Sequence, residues 1–258
     1  MKLYNNMTVT LISLGIVMCM YVLWGRWNSS GRPITNNVPA LIVGTNAEYP
    51  PFTFIQDGAY VGFDIDLINA IAHHIGRKAI IKDMAFSALL PQLQLGTLQI
   101  IAAGLSPTPA RAEHVLFTKP YLEGTPLVIV SPLHKSIRTV EALTGKDVIV
   151  NDGFVSDVYV SHIAGIRIQR LATVADAFTA LRSNRADAFV TSKSSIQPFF
   201  ALYSQADYSV VEIPHTQESV ALAVSKKYHE LVPLLQRALD ELQMDGTIET
   251  LKRKWNLI

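Results

Sequence analysis

Cysteine is nearly missing from this chain. Cys19 is the single one among 258 residues, so no intramolecular disulfide can form and no cysteine set exists to hold zinc. Charge of one sign is lacking too. Twenty-two basic and 21 acidic side chains leave a formal net charge of +1, too small a field to gather a polyanion, and nucleic acid is not an expected partner. The seven histidines never fall at HExxH or another short ligand spacing, so no metal is expected. The nucleotide loops GxGxxG and GxxxxGK[ST] are absent, as is the GxSxG elbow. No Cys/His pair stands out, and no close carboxylate pair suggests glycoside hydrolysis. The sequence points to no cofactor and to no catalytic residue, and the protein is not expected to be an enzyme.

What is there begins with a long apolar run. Lys2 precedes about 18 mostly apolar residues from Met7 to Trp24, which suits an export signal and approaches the ~20 residues of a spanning helix. Trp24, Arg26 and Trp27 crowd the place of a cleavage site, and Cys19 offers itself as a lipid acceptor, although Met18 stands before it where a small residue is expected. Residues 1–27 therefore read as a signal peptide, cleaved or lipidated, or as a retained membrane anchor. Each fate puts the rest of the chain in the periplasm or on the outer face of the inner membrane. NSSGRPITNNVP, residues 28–39, is a polar linker rich in turn formers.

The remainder has enough apolar content for one sizeable core or two of about 100 residues each. ALIVGTN (40–46) predicts a buried strand whose end opens to a surface. YPPFTF follows, its prolines holding Tyr49 and Phe52 on stiff backbone, and DGAY (57–60) is a turn. VGFDIDLINAIAHHIG predicts a helix, with Asp64 or Asp66 accepting first-turn amides and Gly76 as the stop. KAIIKDMAF is a second strand. SALLPQLQLG is a short helix capped by Ser87, with Pro91 in its first turn, and QIIAAG is a third strand. Alternating strands and helices imply an α/β fold with a mostly parallel sheet. Ligand sites in such sheets lie beyond the carboxyl ends of the strands. TNAEY, MAFS and GLSPTPAR all fall there.

From LVIVS at 127–131 the alternation restarts, with strands at KDVIVNDG, IRIQRLA and DAFVTS and helices at TVEALTG, SDVYVSHIAG and TVADAFTALRSNRA. The closing segment from Ser219 holds one strand and two helices joined at Gly246.

Arg111 is the leading candidate for binding. Its planar fork can engage both oxygens of a carboxylate and stays charged at any working pH. Gly104 lets backbone approach a ligand, and the Ser106 hydroxyl can add a neutral hydrogen bond. Tyr49 and Phe86 can enclose an apolar part, while Phe52 reads as core. Asn46 and Glu48 stand close by. Asn151, Asp152 and Ser192 mark strand ends in the second unit.

These stretches together resemble a known family. VGTNAEYPPFTF, YVGFDIDLINAIAHHIG, AFSALLPQLQLG, IIAAGLSPTPAR, FTKPY, NRADAFVT and DGTIETLKRKW, spanning about 41–257, are similar to the polar amino acid binding family of extracellular solute-binding proteins that serve ABC importers. The resemblance implies a type II periplasmic-binding-protein fold, with two α/β lobes joined by two crossing strands and a ligand cleft between them. Lobe 1 would comprise 40–124 and 218–258, and lobe 2 would comprise 125–217. It further implies a small carboxylate ligand, an amino acid or a related compound, held on Arg111 and Ser106 and sandwiched by Tyr49 and Phe86. The backbone at Gly104 would take the ammonium, and Asn46 would touch the ligand side chain. Lobe 2 groups near Asn151 and Ser192 would join on closure, and a monomer would deliver the ligand to an ABC permease in the inner membrane.

Two departures accompany the resemblance. Many relatives carry an aspartate for the α-ammonium where this chain has Ser192, so either Glu48 or Asp152 substitutes or the ligand is not an ordinary α-amino acid. NDGFVSD replaces a QxGT-like stretch, so Phe154 stands where a small hydroxyl is usual. A small-molecule lyase on the same fold, with Glu48 as its acid or base, and a membrane-anchored sensing module are the alternative functions.

Overall fold

The structure, a computed structural model, describes residues 39–257. The apolar leader, Cys19 and nearly all of the linker expected at 28–39 lie outside the described residues. Among the described residues no helix is long and apolar enough to cross a membrane.

Strand β1 (Ala40–Thr45) realises the first apolar run, with Leu41 and Val43 fully buried. The chain then makes a three-stranded antiparallel meander of β2 (Glu48–Tyr49), β3 (Thr53–Gln56) and β4 (Ala59–Val61). The predicted turn is present at Asp57 and Gly58, both left-handed, and it joins two strands that the prolines had hidden.

Helix α1 (Phe63–His74) follows, but neither Asp64 nor Asp66 caps it. The amides of Phe63 and Asp64 are already taken by the carbonyls of Pro51 and Phe52 at 3.0 and 2.9 Å. Both carboxylates are thereby released for longer reaches: Asp66 accepts from Lys254 Nζ and Trp255 Nε1, and Asp64 turns into the core. Gly76 closes the helix with φ of 66°.

Strand β5 (Lys78–Asp83) runs parallel to β1. Helix α2 (Phe86–Leu95) starts one residue before the predicted cap, so Ser87 lies inside it and caps nothing, and Pro91 is interior rather than in the first turn. Pro91 has no amide to offer the carbonyl of Ser87, an exposed residue where water can take its place. Strand β6 (Ile100–Ile101), the single-turn helix α3 (Pro109–Ala112) and β7 (Leu116–Phe117) complete this stretch.

A second alternating set comprises β8 (Leu127–Pro132), β9 (Asp147–Asn151), α4 (Val155–Ser161), β10 (Arg167–Leu171), α5 (Val174–Arg182), β11 (Ala188–Ser192), α6 (Lys193–Phe200) and β12 (Tyr208–Glu212). The chain ends in β13 (Ala223–Val224), α7 (Leu231–Met244) and α8 (Thr247–Lys254).

The strands form two five-stranded sheets, ordered β5-β1-β6-β13-β7 and β10-β9-β11-β8-β12. Each has a parallel half, and each is completed by antiparallel strands: β13 against β6 and β7 in the first, β8 against β11 and β12 in the second. Helices cover both, so the molecule has two α/β lobes.

The chain crosses from the first sheet to the second after β7 and returns before β13. The two crossing segments lie side by side, bridged between Leu122 and Val220, with the Glu218 amide donating to the Thr125 carbonyl at 3.2 Å. Their approach requires glycine at 124, where a Cβ would sit 1.2 Å from the Glu218 carbonyl oxygen.

Candidate functional site

The segment Gly104–Arg111 leaves β6 and turns between the lobes. Gly104 adopts φ of 61°, and a Cβ there would fall 2.6 Å from the Tyr49 ring, so only glycine lets the backbone pass over that tyrosine. Its amide donates to Asp64 Oδ2 at 2.5 Å, while Asp64 Oδ1 accepts from the Tyr121 hydroxyl at 2.7 Å. Burial raises the Asp64 pKa to about 6 against the lowering effect of these two donors. The Asp64 side chain thus ties the loop to α1 and to the first crossing segment.

Thr108 caps α3 by accepting from the Arg111 amide at 3.3 Å, and Pro109 occupies the first turn, where a missing amide costs nothing. This short helix turns Arg111 inward, leaving it 9% exposed. Its guanidinium donates to the Ser106 carbonyl at 2.7 Å and, across the lobes, to the Gly153 carbonyl at 2.9 Å. It lies 5.7 Å from the centre of the Phe86 ring. Burial lowers the Arg111 pKa to about 10, and the charge of Glu218 works against that shift. Two carbonyls use two of its five donors, and three remain.

Tyr49, buried and stacked on Phe52 at 5.1 Å, meets Phe154 edge-on at 5.2 Å. Phe86 also meets the Phe154 ring, at 4.4 Å. The two aromatics expected to sandwich a ligand therefore both contact Phe154. Burial and the nearby Glu218 charge raise the Tyr49 phenol pKa, while hydrogen bonds with the Ser192 and Ser194 hydroxyls oppose the rise. The hydroxyls form a chain, with Ser192 Oγ 2.8 Å from Ser194 Oγ and 3.1 Å from Thr125 Oγ1.

The structure brings Arg111, Ser106, Gly104, Tyr49, Phe86 and Ser192 to the seam between the lobes. Ser106 reaches Arg111 with its carbonyl rather than its hydroxyl, and the Gly104 amide is engaged by Asp64. Asn46, Glu48 and Asp152 line a neighbouring cavity of about 360 Å³ with Phe86 and Arg170. Asn46 is buried and donates to the Met84 carbonyl at 3.2 Å, whereas Glu48 and Asp152 are exposed. Asn151 is set apart: its amide nitrogen donates to Leu171 at 3.3 Å, and its Oδ1 is buried without a partner.

Two residues escaped the list of candidates. Phe154 was noted as a departure but not as a contact for both aromatics. Glu218 was missed outright. Burial raises its pKa to about 7, and Arg111 pulls it back.

Known proteins are similar to this chain over nearly all of its described length. The family model for bacterial extracellular solute-binding proteins, family 3, matches residues 41–258. A protein described as a probable histidine-binding protein of Campylobacter jejuni is 30% identical over 257 residues, covering 99% of either chain. The arginine-binding extracellular protein ArtP of Bacillus subtilis is 28% identical, over 93% of this chain and 95% of that one. Among solved structures, an ancestral arginine-binding protein bound to arginine is 35% identical with a TM-score of 0.79, covering 84% of this chain and 97% of its own.

Proposed function

The chain belongs to family 3 of the bacterial extracellular solute-binding proteins, and from that premise we propose that it captures an amino acid between its lobes outside the cytoplasm and presents it to an ABC importer. The fold is the type II periplasmic-binding-protein fold. The proposed lobes are 40–124 with 218–258, and 125–217.

One observation carries the proposal: a buried arginine on lobe 1 that already touches lobe 2 through the Gly153 carbonyl. A guanidinium withdrawn from water and holding three free donors is a receptor for a carboxylate. Binding there places the anion against Arg111, Ser106 and Tyr49, and closure of lobe 2 excludes water and strengthens the ionic contact. The work of transport falls to the permease and its ATPase, so no bond is made or broken by this protein. The relatives named for arginine and histidine support an amino acid as the ligand class. The extracellular family supports a periplasmic location, with the N-terminal apolar segment as the means of export.

A thermal-shift screen of the full-length chain against the common amino acids and their decarboxylated amines tests this. A true ligand at about 100 times its dissociation constant adds ~2.7 kcal/mol of apparent stability. Amino acids that stabilise while the matching amines do not are the expected result. Equal stabilisation by the amines would remove Arg111 from the role.

A further inference from the structure

Arg111 has an oppositely charged neighbour that it does not touch. Glu218 lies on the returning crossing segment, its backbone clamped to the outgoing one by the 3.2 Å hydrogen bond to Thr125 and by the close approach at Gly124. It lines a cavity of about 300 Å³ together with Ser106 and Thr108 of the arginine loop and Val155 and Tyr159 of lobe 2. Among the described residues, Glu218 and Arg111 form no direct ion pair, yet each feels the charge of the other. Arg111 instead spends two donors on the carbonyls of Ser106 and Gly153.

The other carboxylates near the seam are committed or exposed. Asp64 is held by Gly104 and Tyr121. Asp157 is held by Arg170, by the Gly153 amide and by Ser161. Glu48 and Asp152 stand in the open. At Ser192, the partners are hydroxyls of Ser194 and Thr125, which accept a hydrogen bond but cannot neutralise a cation. A half-buried carboxylate that accepts no hydrogen bond among the described residues is unfavourable until a cation arrives.

We propose that Glu218, fixed on the crossing segment, receives the ammonium of a ligand whose carboxylate is held by Arg111, so that the two side chains together select α-amino acids over simple carboxylates. Glu218 thereby supplies the charge that Ser192 lacks, and neither Glu48 nor Asp152 is needed for it. The inference rests on Arg111 being the carboxylate anchor. The carboxyl of Glu218 sits at about 7 without ligand, above the usual carboxylate range because of burial. Binding of a cation then requires the ionised form, and affinity rises with pH until that carboxyl is fully charged. The other titratable or charged groups around it are Arg111, Tyr49, Tyr159 and His215.

The test is calorimetry on the full-length chain with two pairs of probes: L-arginine against 5-guanidinopentanoate, and L-histidine against 3-(imidazol-4-yl)propanoate. Each pair differs only by the ammonium. The wild type is expected to bind at least one amino acid about 30-fold or more above its partner, in line with a buried charge contact. Glu218→Gln should bring that ratio below threefold while leaving the des-amino compound unchanged within threefold. A ratio that survives Glu218→Gln in protein melting like wild type overturns the proposal.

If the variant does not fold, the pH series on wild type decides. L-Arginine has no group of its own titrating between about pH 5.5 and 8; its affinity should climb through that range while that of 5-guanidinopentanoate stays flat, in wild type and in His215→Gln alike. Parallel profiles for the two compounds, or loss of the slope in His215→Gln, overturn the assignment. Arg111→Ala separates the two levels. If it abolishes binding of both members of a pair while Glu218→Gln changes neither, the anchor stands and the ammonium partner falls. Wild type that binds none of the four overturns both.

Discussion

The two lobes share an architecture and differ in what they bring to their seam. Lobe 1 brings a buried cation and its supports: Arg111 on a capped turn, and Gly104 pinned by Asp64, which is itself pinned by Tyr121. The lobe 2 groups that touch Arg111, Tyr49 and Phe86 are neutral, namely the Gly153 carbonyl, the Phe154 ring and the hydroxyls of Ser192 and Ser194. The difference teaches that, in the proposed function, affinity and enclosure fall to separate surfaces. A charge is useful before closure only if its geometry is already fixed. A covering surface needs shape and weak donors that let it leave again.

The strongest way to break that division is to remove the cation. Arg111→Ala should weaken ligand binding by about 30-fold or more, corresponding to ~2 to 5 kcal/mol for a buried charge contact, and calorimetry measures it. A change below threefold would mean that lobe 2 also provides affinity.

The supports come next. Tyr121→Phe leaves Asp64 short of one donor, with an expected loss of about 1 to 3 kcal/mol in denaturant stability. Asp64 sharpens the same point by its pH dependence. Its folded pKa of about 6 exceeds the ordinary 3.8, so its contribution favours the fold fully below the lower value and is lost as pH rises through the higher one. The stability of wild type minus that of Asp64→Asn should fall between about pH 4 and 6. A rising difference would mean that Asp64 is held as a carboxylate.

Phe154→Ala probes the covering side. It deletes two aromatic contacts, each worth about 0.5 to 1.5 kcal/mol beyond area burial. The lobes should separate more readily, seen as a larger radius of gyration by small-angle scattering. The smallest effects belong to the rim: Glu48→Gln and Asp152→Asn should each alter affinity by less than about threefold, since exposed charges contribute little. A larger loss at either would relocate the anionic side of the site.

Much of the fold was legible. The apolar runs that became β1, β8, β9 and β11 admit few alternatives, because strands buried on both faces must be apolar throughout. Helix α1 followed from its four-residue spacing. The meander β2–β4 was hidden because Pro50 and Pro51 suppress any strand signal locally, although the structure places strands on either side of them. Helix α6 was overlooked since Pro198 interrupts its period. At the site, TPAR contains the cap and the proline of a helix start, but a helix start alone is equally compatible with a solvated Arg111; the inward turn comes from packing against Ser106 and Gly153. Glu218 could not be anticipated either. A lone carboxylate in a loop has no periodicity, and its significance comes from the pairing of segments roughly a hundred residues apart.

That pairing has a mechanical corollary at position 124. A single methyl there would collide with the backbone opposite, acting as a wedge between the two straps that, among the described residues, connect one half of the molecule to the other. Gly124→Ala would leave each half with its own core intact and yet spread the straps, shifting Glu218 together with the relative freedom of the halves.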